Sequence, residues 1–500
     1  HSFRLFFRSE YGDKKLNYPL FGTDGASDFK RIDFRTAQNY AWSQVANDPT
    51  KNSFIRDVYN RDLQASQGKP HTRSRYFHLY LNGLYWGLFM TEERADAHFG
   101  DSYLGGKDDD YDVVKSSGSS GGYTTEATSG DLTGGAWETT WNLSKNVRDA
   151  TSTNNSAYFQ LQGKNSDGSD NASLPKYLAV DDLIDYMLTI FYVGSADSPL
   201  TIGGNASNNW FGMRNRLTNN HGFQFFVHDT EHSMDAINHP DVTGPFSAGK
   251  SDATNQSNPQ FMHEYLANND EYKLRFADRA HALFHNTGAL TLSKSEALID
   301  SRAATIDSAI IAESARWGDQ RNSGTTYTRS HWLGAVSSMK TWMSGREATV
   351  IGQLAIDNLY PNTQPPAFNQ HGGVIATGFQ LTISNPGGSG TVYFTTDGSD
   401  PRAIGGAVSG SSYSSAITLN QATTVKARVL NGGEWSALNE AEFTLGATPT
   451  PSNLVISEFS YNAAPSSPGG TDGDDFDFIE IMNIGTQNVD LTTLSFDDGI

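Results

Sequence analysis

The sequence predicts a multidomain chain: an α+β unit over residues 1–360, mixed at first and then helical, followed by small all-β sandwich modules. Three observations predict it. At 500 residues the chain is too long for one ordinary domain, and roughly 150–200 residues per domain suggests about three. The apolar pattern is mixed up to residue 115, turns helical from about 174, and becomes short alternating strands after 366. Two Pro/Thr-rich linkers, PNTQPP at 361–366 and ATPTPS at 447–452, separate a β-sandwich at 367–446 from a further all-β stretch at 453–500.

Taken in order, HSFRLFF is a strand with alternating character. NSFIRDVYNRDLQASQGK reads as a helix with Phe54, Val58 and Leu63 on one face, ended by Gly68 and Pro70. In RYFHLYLNGLYWGLFMTEER, Asn82-Gly83 sits between two aromatic-apolar runs, the signal of a two-residue β-hairpin. Residues 116–172 are rich in Gly, Ser, Thr, Asn and Asp and read as an insertion, in which SSGSSGGYTTEATSGD reads as a mobile surface loop. LPKYLAVDDLIDYMLTIFYV has apolar residues at helical spacing, and further helices are predicted at 258–286, 292–316 and 331–358. Residues 367–446 show strands and Gly-rich turns with no helical period, the pattern of a small sandwich. LVISEFSYN and FDFIEIMNIG begin the third, all-β unit.

The net charge of −20, from 56 acidic and 36 basic side chains, argues against nucleic acid as a main partner. Cysteine is absent, which removes disulfides, thiolate metal sites and Cys nucleophiles together. No apolar run approaches the roughly 20 residues of a membrane helix, and no signal peptide is visible. A Cys-free, Gly-rich, acidic chain starting at His1 and ending at Ile500 reads as a fragment or processed product of a secreted or bacterial surface protein.

Chemistry concentrates in residues 194–235. Asp197 follows a helix and opens a Gly/Asn-rich loop that Asn208 and Asn209 close. Two strands, WFGMRN and GFQFFV, follow as a hairpin, and Asp229 lies just past the second. Asp, Asn, hairpin, Asp is the order of parts in kinase-type phosphoryl transfer, in which carboxylate and amide oxygens hold magnesium. Asp and Asn are also common turn formers, so a plain loop fits the same spacing. The segment FFVHDTEHSMD also offers His228, Glu231 and His232 as a zinc set, although two His four apart converge only on a helix.

This region, with YFHLYLNGLYWGLFMTEERAD, SFIRDVYNRDLQ and DDLIDYMLTIFYVGSAD, resembles the CotH kinase family of atypical, spore-coat-type protein kinases over roughly residues 1–360. Asn82, Gly83, Tyr85 and Gly87 match its Asn-Gly-x-Tyr-x-Gly hairpin. The resemblance implies a two-lobed protein-kinase-like fold with a helical C-lobe, ATP, and Mg²⁺ with Ca²⁺ or Mn²⁺ as alternatives. It places the catalytic Asp on Asp197 and metal-binding positions on Asn208, Asn209, Asp229 and Glu231, with Asn205 a rival for the Asn. TIGGNAS is then an insertion, Glu231 replaces a second Asp, and His228 replaces a Trp. Arg35 falls on a basic residue implied to meet nucleotide phosphates, Glu93 on an acidic residue implied to position it, and Arg56 on a helix arginine; surface ion pairs are the alternative for each.

VYFTTDGSDPR resembles the β-sandwich at the C-terminus of chitobiase-type enzymes, its Asp397-Gly398 pair reading as a turn rather than a ligand site. LVISEFSYN to VDLTTLSFDDGI resembles the start of a lamin-tail-type immunoglobulin-like domain whose TDGDDFD is a solvated loop or a calcium loop. The expected function is a magnesium-dependent kinase acting on Ser/Thr hydroxyls of surface or secreted proteins. The alternative is a non-catalytic adhesion protein, binding a surface ligand such as carbohydrate through its β modules. A zinc hydrolase and a paired-carboxylate glycosidase are further readings.

Overall fold

The computed structural model describes residues 2–44, 51–117, 123–127, 135–201, 206–217, 222–234, 243–246, 252–320, 324–447, 449–461, 477–491 and 494–495. It forms two compact units, His1–Pro361 and Asn362–Ile500.

In the first unit, strands β1 (Phe3–Phe6), β2 (Leu16–Asn17), β3 (Asp28–Phe29) and β4 (Arg31–Arg35) precede helix α1 (Arg56–Ser66). Strands β5 (Tyr76–Leu81) and β6 (Leu84–Glu92) follow, and β1, β4, β6 and β5 form an antiparallel sheet in that order. Leu81 pairs with Leu84 across Asn82 and Gly83, whose φ values of 51° and 81° make the two-residue hairpin turn the sequence predicts. β1 lies on the sheet edge with all four residues exposed, so its alternating sequence has no buried face to match. Phe54 precedes α1 at φ 60° and is buried there, off the helix.

Next come α2 (Ala97–Leu104), β7 (Tyr111–Ser116), β8 (Tyr123–Ala127), α3 (Ala136–Asp149), α4 (Ser156–Leu161), α5 (Val180–Val193), β9 (Trp210–Asn215) and β10 (Gln224–Val227). A second antiparallel sheet runs β10, β9, β7, β8. The stretch 116–172 is therefore not a plain loop. Its composition hides the face of α3 formed by Trp137, Thr140, Trp141, Ser144 and Val147, all buried, with Trp137 stacked on Trp210 of β9. α5 buries nearly every residue, and α1 packs against it and against β10.

Helices α6 (Pro259–Leu266), α7 (Asp270–Phe284), α8 (Leu292–Ile306), α9 (Ala309–Trp317), α10 (Arg329–Met343) and α11 (Arg346–Ile356) complete the unit. Each of the three long helices expected there is two. Asn269 interrupts the first, its side chain accepting from Tyr272 N as the N-cap of α7. Ser344-Gly345 interrupts the last.

A tight backbone approach locks the second sheet to α5. Phe223 N donates to Tyr177 O at 2.8 Å, and Ala179 N donates to Phe223 O at 3.1 Å. A Cβ at Gly222 would lie 2.3 Å from the Leu178 carbonyl carbon, where only backbone could yield. Gly222→Ala is expected to cost about 3 kcal/mol, the upper end for overpacking, read as a lowered urea midpoint. An unchanged midpoint contradicts this packing.

Over residues 367–446 the second unit contains only strands, packed around Leu381, Leu419, Val425 and Phe443. Asp397 closes a turn, its Oδ1 accepting from Ser399 N at 2.9 Å. Leu454–Ser460 pairs with Phe478–Asn483 beyond it. TDGDDFD, apart from Asp477, lies outside the described residues.

Candidate active site

β10 carries Phe225, Phe226 and Val227 into the core, and this apolar run fixes the strand. Asp229 then adopts φ 50°, a left-handed conformation that Asp tolerates better than most residues, and the chain turns out of the sheet. Residues 228–231 are thereby presented to β4 and β6.

Arg35 ends β4 with its side chain 6% exposed and meets three carboxylates. One guanidinium nitrogen donates to Glu92 Oε2 at 3.0 Å, another donates to Asp229 Oδ1, and Glu231 Oε2 lies 3.9 Å away. His228 Nδ1 contacts the other Glu92 oxygen at 2.6 Å. Burial alone would raise the Glu92 carboxyl, but His228, Arg61 and Arg35 hold it well below the usual range. Arg35 stays charged because Asp229 and Glu92 outweigh its burial.

The partner of Arg35 is Glu92, not Glu93. Successive strand residues face opposite ways, so Glu93 turns from the site and accepts from Arg73 N at 2.8 Å and from the Tyr103 hydroxyl. Burial raises its carboxyl.

The segment after α5 is pinned to the same turn: Ala196 N donates to His232 O at 2.7 Å, and Met234 N donates to Val193 O at 2.9 Å. Asp197 follows. Leu200 bridges to Ser207, closing the neck of the loop between them and bringing Asn209 back beside Asp197. The Asn209 amide donates to Asp197 Oδ2 and to Asp229 O, both at 3.1 Å, so one side chain ties the two acidic residues together. Asn208 is placed by its backbone, donating to Pro199 O at 2.9 Å. Asn205 lies outside the described residues.

Burial, then the nearby charges of Asp229 and Asp57, push the Asp197 carboxyl up to about 8. Burial and Asp229 likewise raise Glu231, despite Arg35. Asp182 and Glu313 are each pushed up to about 7, by burial first. These folded carboxyls keep protons that the unfolded chain releases near pH 4, so folding binds protons. The stability they give is full below about pH 4 and is lost as pH rises through their folded values. The melting temperature in chelator is expected to fall from about pH 6 to about pH 9. A flat or rising profile contradicts it.

Arg56 braces the turn from α1, donating to Glu231 O at 3.3 Å and Lys51 O at 3.1 Å, with its guanidinium 4.8 Å from the Tyr40 ring centre. The two histidines serve different neighbours. His232 meets the Asn39 amide at 2.9 Å and the Tyr40 hydroxyl at 3.1 Å, while His228 faces Glu92. They do not converge with Glu231 as a zinc set would, because the segment is a turn and not a helix. Among the described residues no three His, Asp or Glu side chains form a ready metal cage. Magnesium needs none, since it takes one or two carboxylates and completes its shell with phosphates and water. Asp197 Oδ1 and Glu231 Oε2 are buried without a hydrogen-bond partner, and orphaned carboxylate oxygens are donors of the kind such an ion takes.

The family model for CotH kinase protein matches residues 1–350, most of the chain and all of the site. The chain belongs to the CotH family. A second match, Fn3 associated, covers residues 379–439 within the β-rich unit. No curated protein matches the chain. In this CotH chain the residues that sequence reasoning missed are Glu92 and the polar side chains of α1. Alternation along β6, counted from Arg35 on the paired strand, is the signal that singles out Glu92: Asp33 pairs with Glu92, and Asp33 shares a face with Arg35.

Proposed function

We propose that this chain is an atypical protein kinase that transfers the γ-phosphate of ATP to Ser/Thr hydroxyls of surface or secreted proteins, with magnesium. The observation that carries the reading is the Asn209 amide, which joins Asp197 to the Asp229 backbone while Arg35 ties Asp229 to Glu92. ATP supplies the transferred group, and magnesium neutralises charge on its phosphates.

The protein's part is positioning. In its ionised form Asp197 accepts the hydroxyl proton at Oδ1, the oxygen without a partner, while Asn209 fixes Oδ2. Asp229, Asn209 and Glu231 hold the cation, with Mn²⁺ and Ca²⁺ as alternatives. Arg35 supplies a fixed positive charge at the phosphate end, and Arg56 steadies Glu231 through its backbone. In this reading the sheet of β1, β4, β5 and β6 belongs to an N-lobe and the helices to a C-lobe. The β modules, one Fn3 associated and read by resemblance as chitobiase-type and lamin-tail-type, serve display at a bacterial surface.

One observation favours a non-catalytic scaffold instead: Arg35 already occupies the Asp229 carboxylate. Calorimetry separates the two readings. The kinase binds ATP in a magnesium-dependent manner, whereas no heat of binding with ATP and magnesium together favours the scaffold.

A further inference from the structure

α1 buries a polar face. Asp57, Asn60 and Gln64, spaced three and four residues apart, are 3%, 0% and 2% exposed. All three make hydrogen bonds to residues 225–233. Gln64 behaves as the peptide of an added strand: its amide donates to Phe225 O at 2.6 Å, and its oxygen accepts from Val227 N at 3.0 Å along the open edge of β10. Asp57 Oδ1 accepts from Thr230 N at 2.8 Å, the first amide beyond Asp229. The Asn60 amide lies 2.9 Å from Thr230 O, Thr230 Oγ1 and Ser233 Oγ.

Burying these groups is costly unless they are satisfied, and apolar side chains would fill the same space more cheaply. Arg61 offsets the Asp57 charge at 3.1 Å. The bonds converge on the backbone that turns at Asp229, so the polar face fixes where the Asp229 and Glu231 side chains point. We propose that Asp57, Asn60 and Gln64 are positioning residues that set the affinity of the 229–231 turn for its divalent cation. This rests on the phosphotransferase reading.

The test uses the full chain with ATP and Mn²⁺, free Mn²⁺ being counted by electron paramagnetic resonance. Asn60→Leu removes the donors at similar volume. Leu63→Ala, a buried apolar site one helical turn from Asn60, is the control for simple loss of stability. Asn60→Leu is expected to weaken Mn²⁺ binding about 10–100-fold, as loss of a partner that orients a metal ligand does, while Leu63→Ala lowers the melting temperature and leaves affinity unchanged. Wild-type affinity in Asn60→Leu, or an equal loss in both variants, overturns the proposal. Should Asn60→Leu not fold, Gln64→Met is judged by the same criteria. A wild-type chain that binds no Mn²⁺ with ATP overturns the phosphotransferase reading as well, which separates the two failures.

Discussion

Arg35→Met is expected to destabilise the first unit by about 3–5 kcal/mol and to abolish ATP binding. The size follows from what Arg35 leaves behind. Glu92 and Glu231 are almost fully buried, and Asp229 is about two-thirds buried with its side chain 33% exposed. Methionine restores volume but no charge, so only His228 and Arg61 are left to offset Glu92, and Asp229 loses its cationic partner. Lysine keeps the charge but cannot reach Glu92 and Asp229 with separate nitrogens, so Arg35→Lys should fall between. Urea midpoints and ATP calorimetry on the three proteins check the order. Wild-type stability in Arg35→Met would mean that the cluster is held elsewhere.

Asp197→Asn has the largest expected effect on turnover. Loss of a positioned base lowers kcat by about 10²–10⁴-fold, with KM for ATP little changed. The same change should stabilise the protein at alkaline pH. Above about 8 the Asp197 carboxyl is charged beside Asp229 and Asp57, and a neutral amide removes both that repulsion and the burial of the charge. A higher melting temperature together with a lower kcat marks a group kept for chemistry at a cost in stability. A drop in both would instead mark Asp197 as structural.

Local rules made part of this site legible in the sequence. Asn82-Gly83 dictates a hairpin because only its turn matches strand twist. The order Asp197, Asn209, Asp229 is visible because each lies beside a recognisable element end. What the sequence hid is set by tertiary partners. Glu92 and Glu93 are adjacent and chemically alike, and only the pairing of β4 with β6 decides which one faces Arg35. α3 was masked by the Gly and Ser around it, although Trp137 and Trp141 lie one helical turn apart. The role of Asp57, Asn60 and Gln64 is hidden too, because polar residues at that spacing on a helix normally face solvent. Their burial shows only when β10 is placed beside α1. The breaks at Asn269 and Gly345 were available as cap signals, but continuous apolar periods on both sides concealed them.

The most direct measurement is transfer of labelled γ-phosphate from ATP to protein, with magnesium, by the full chain and by Asp197→Ala and Asp229→Ala. The site described here predicts magnesium-dependent incorporation by the wild type and background label in both variants. Equal incorporation by all three proteins, or none by the wild type, would contradict it.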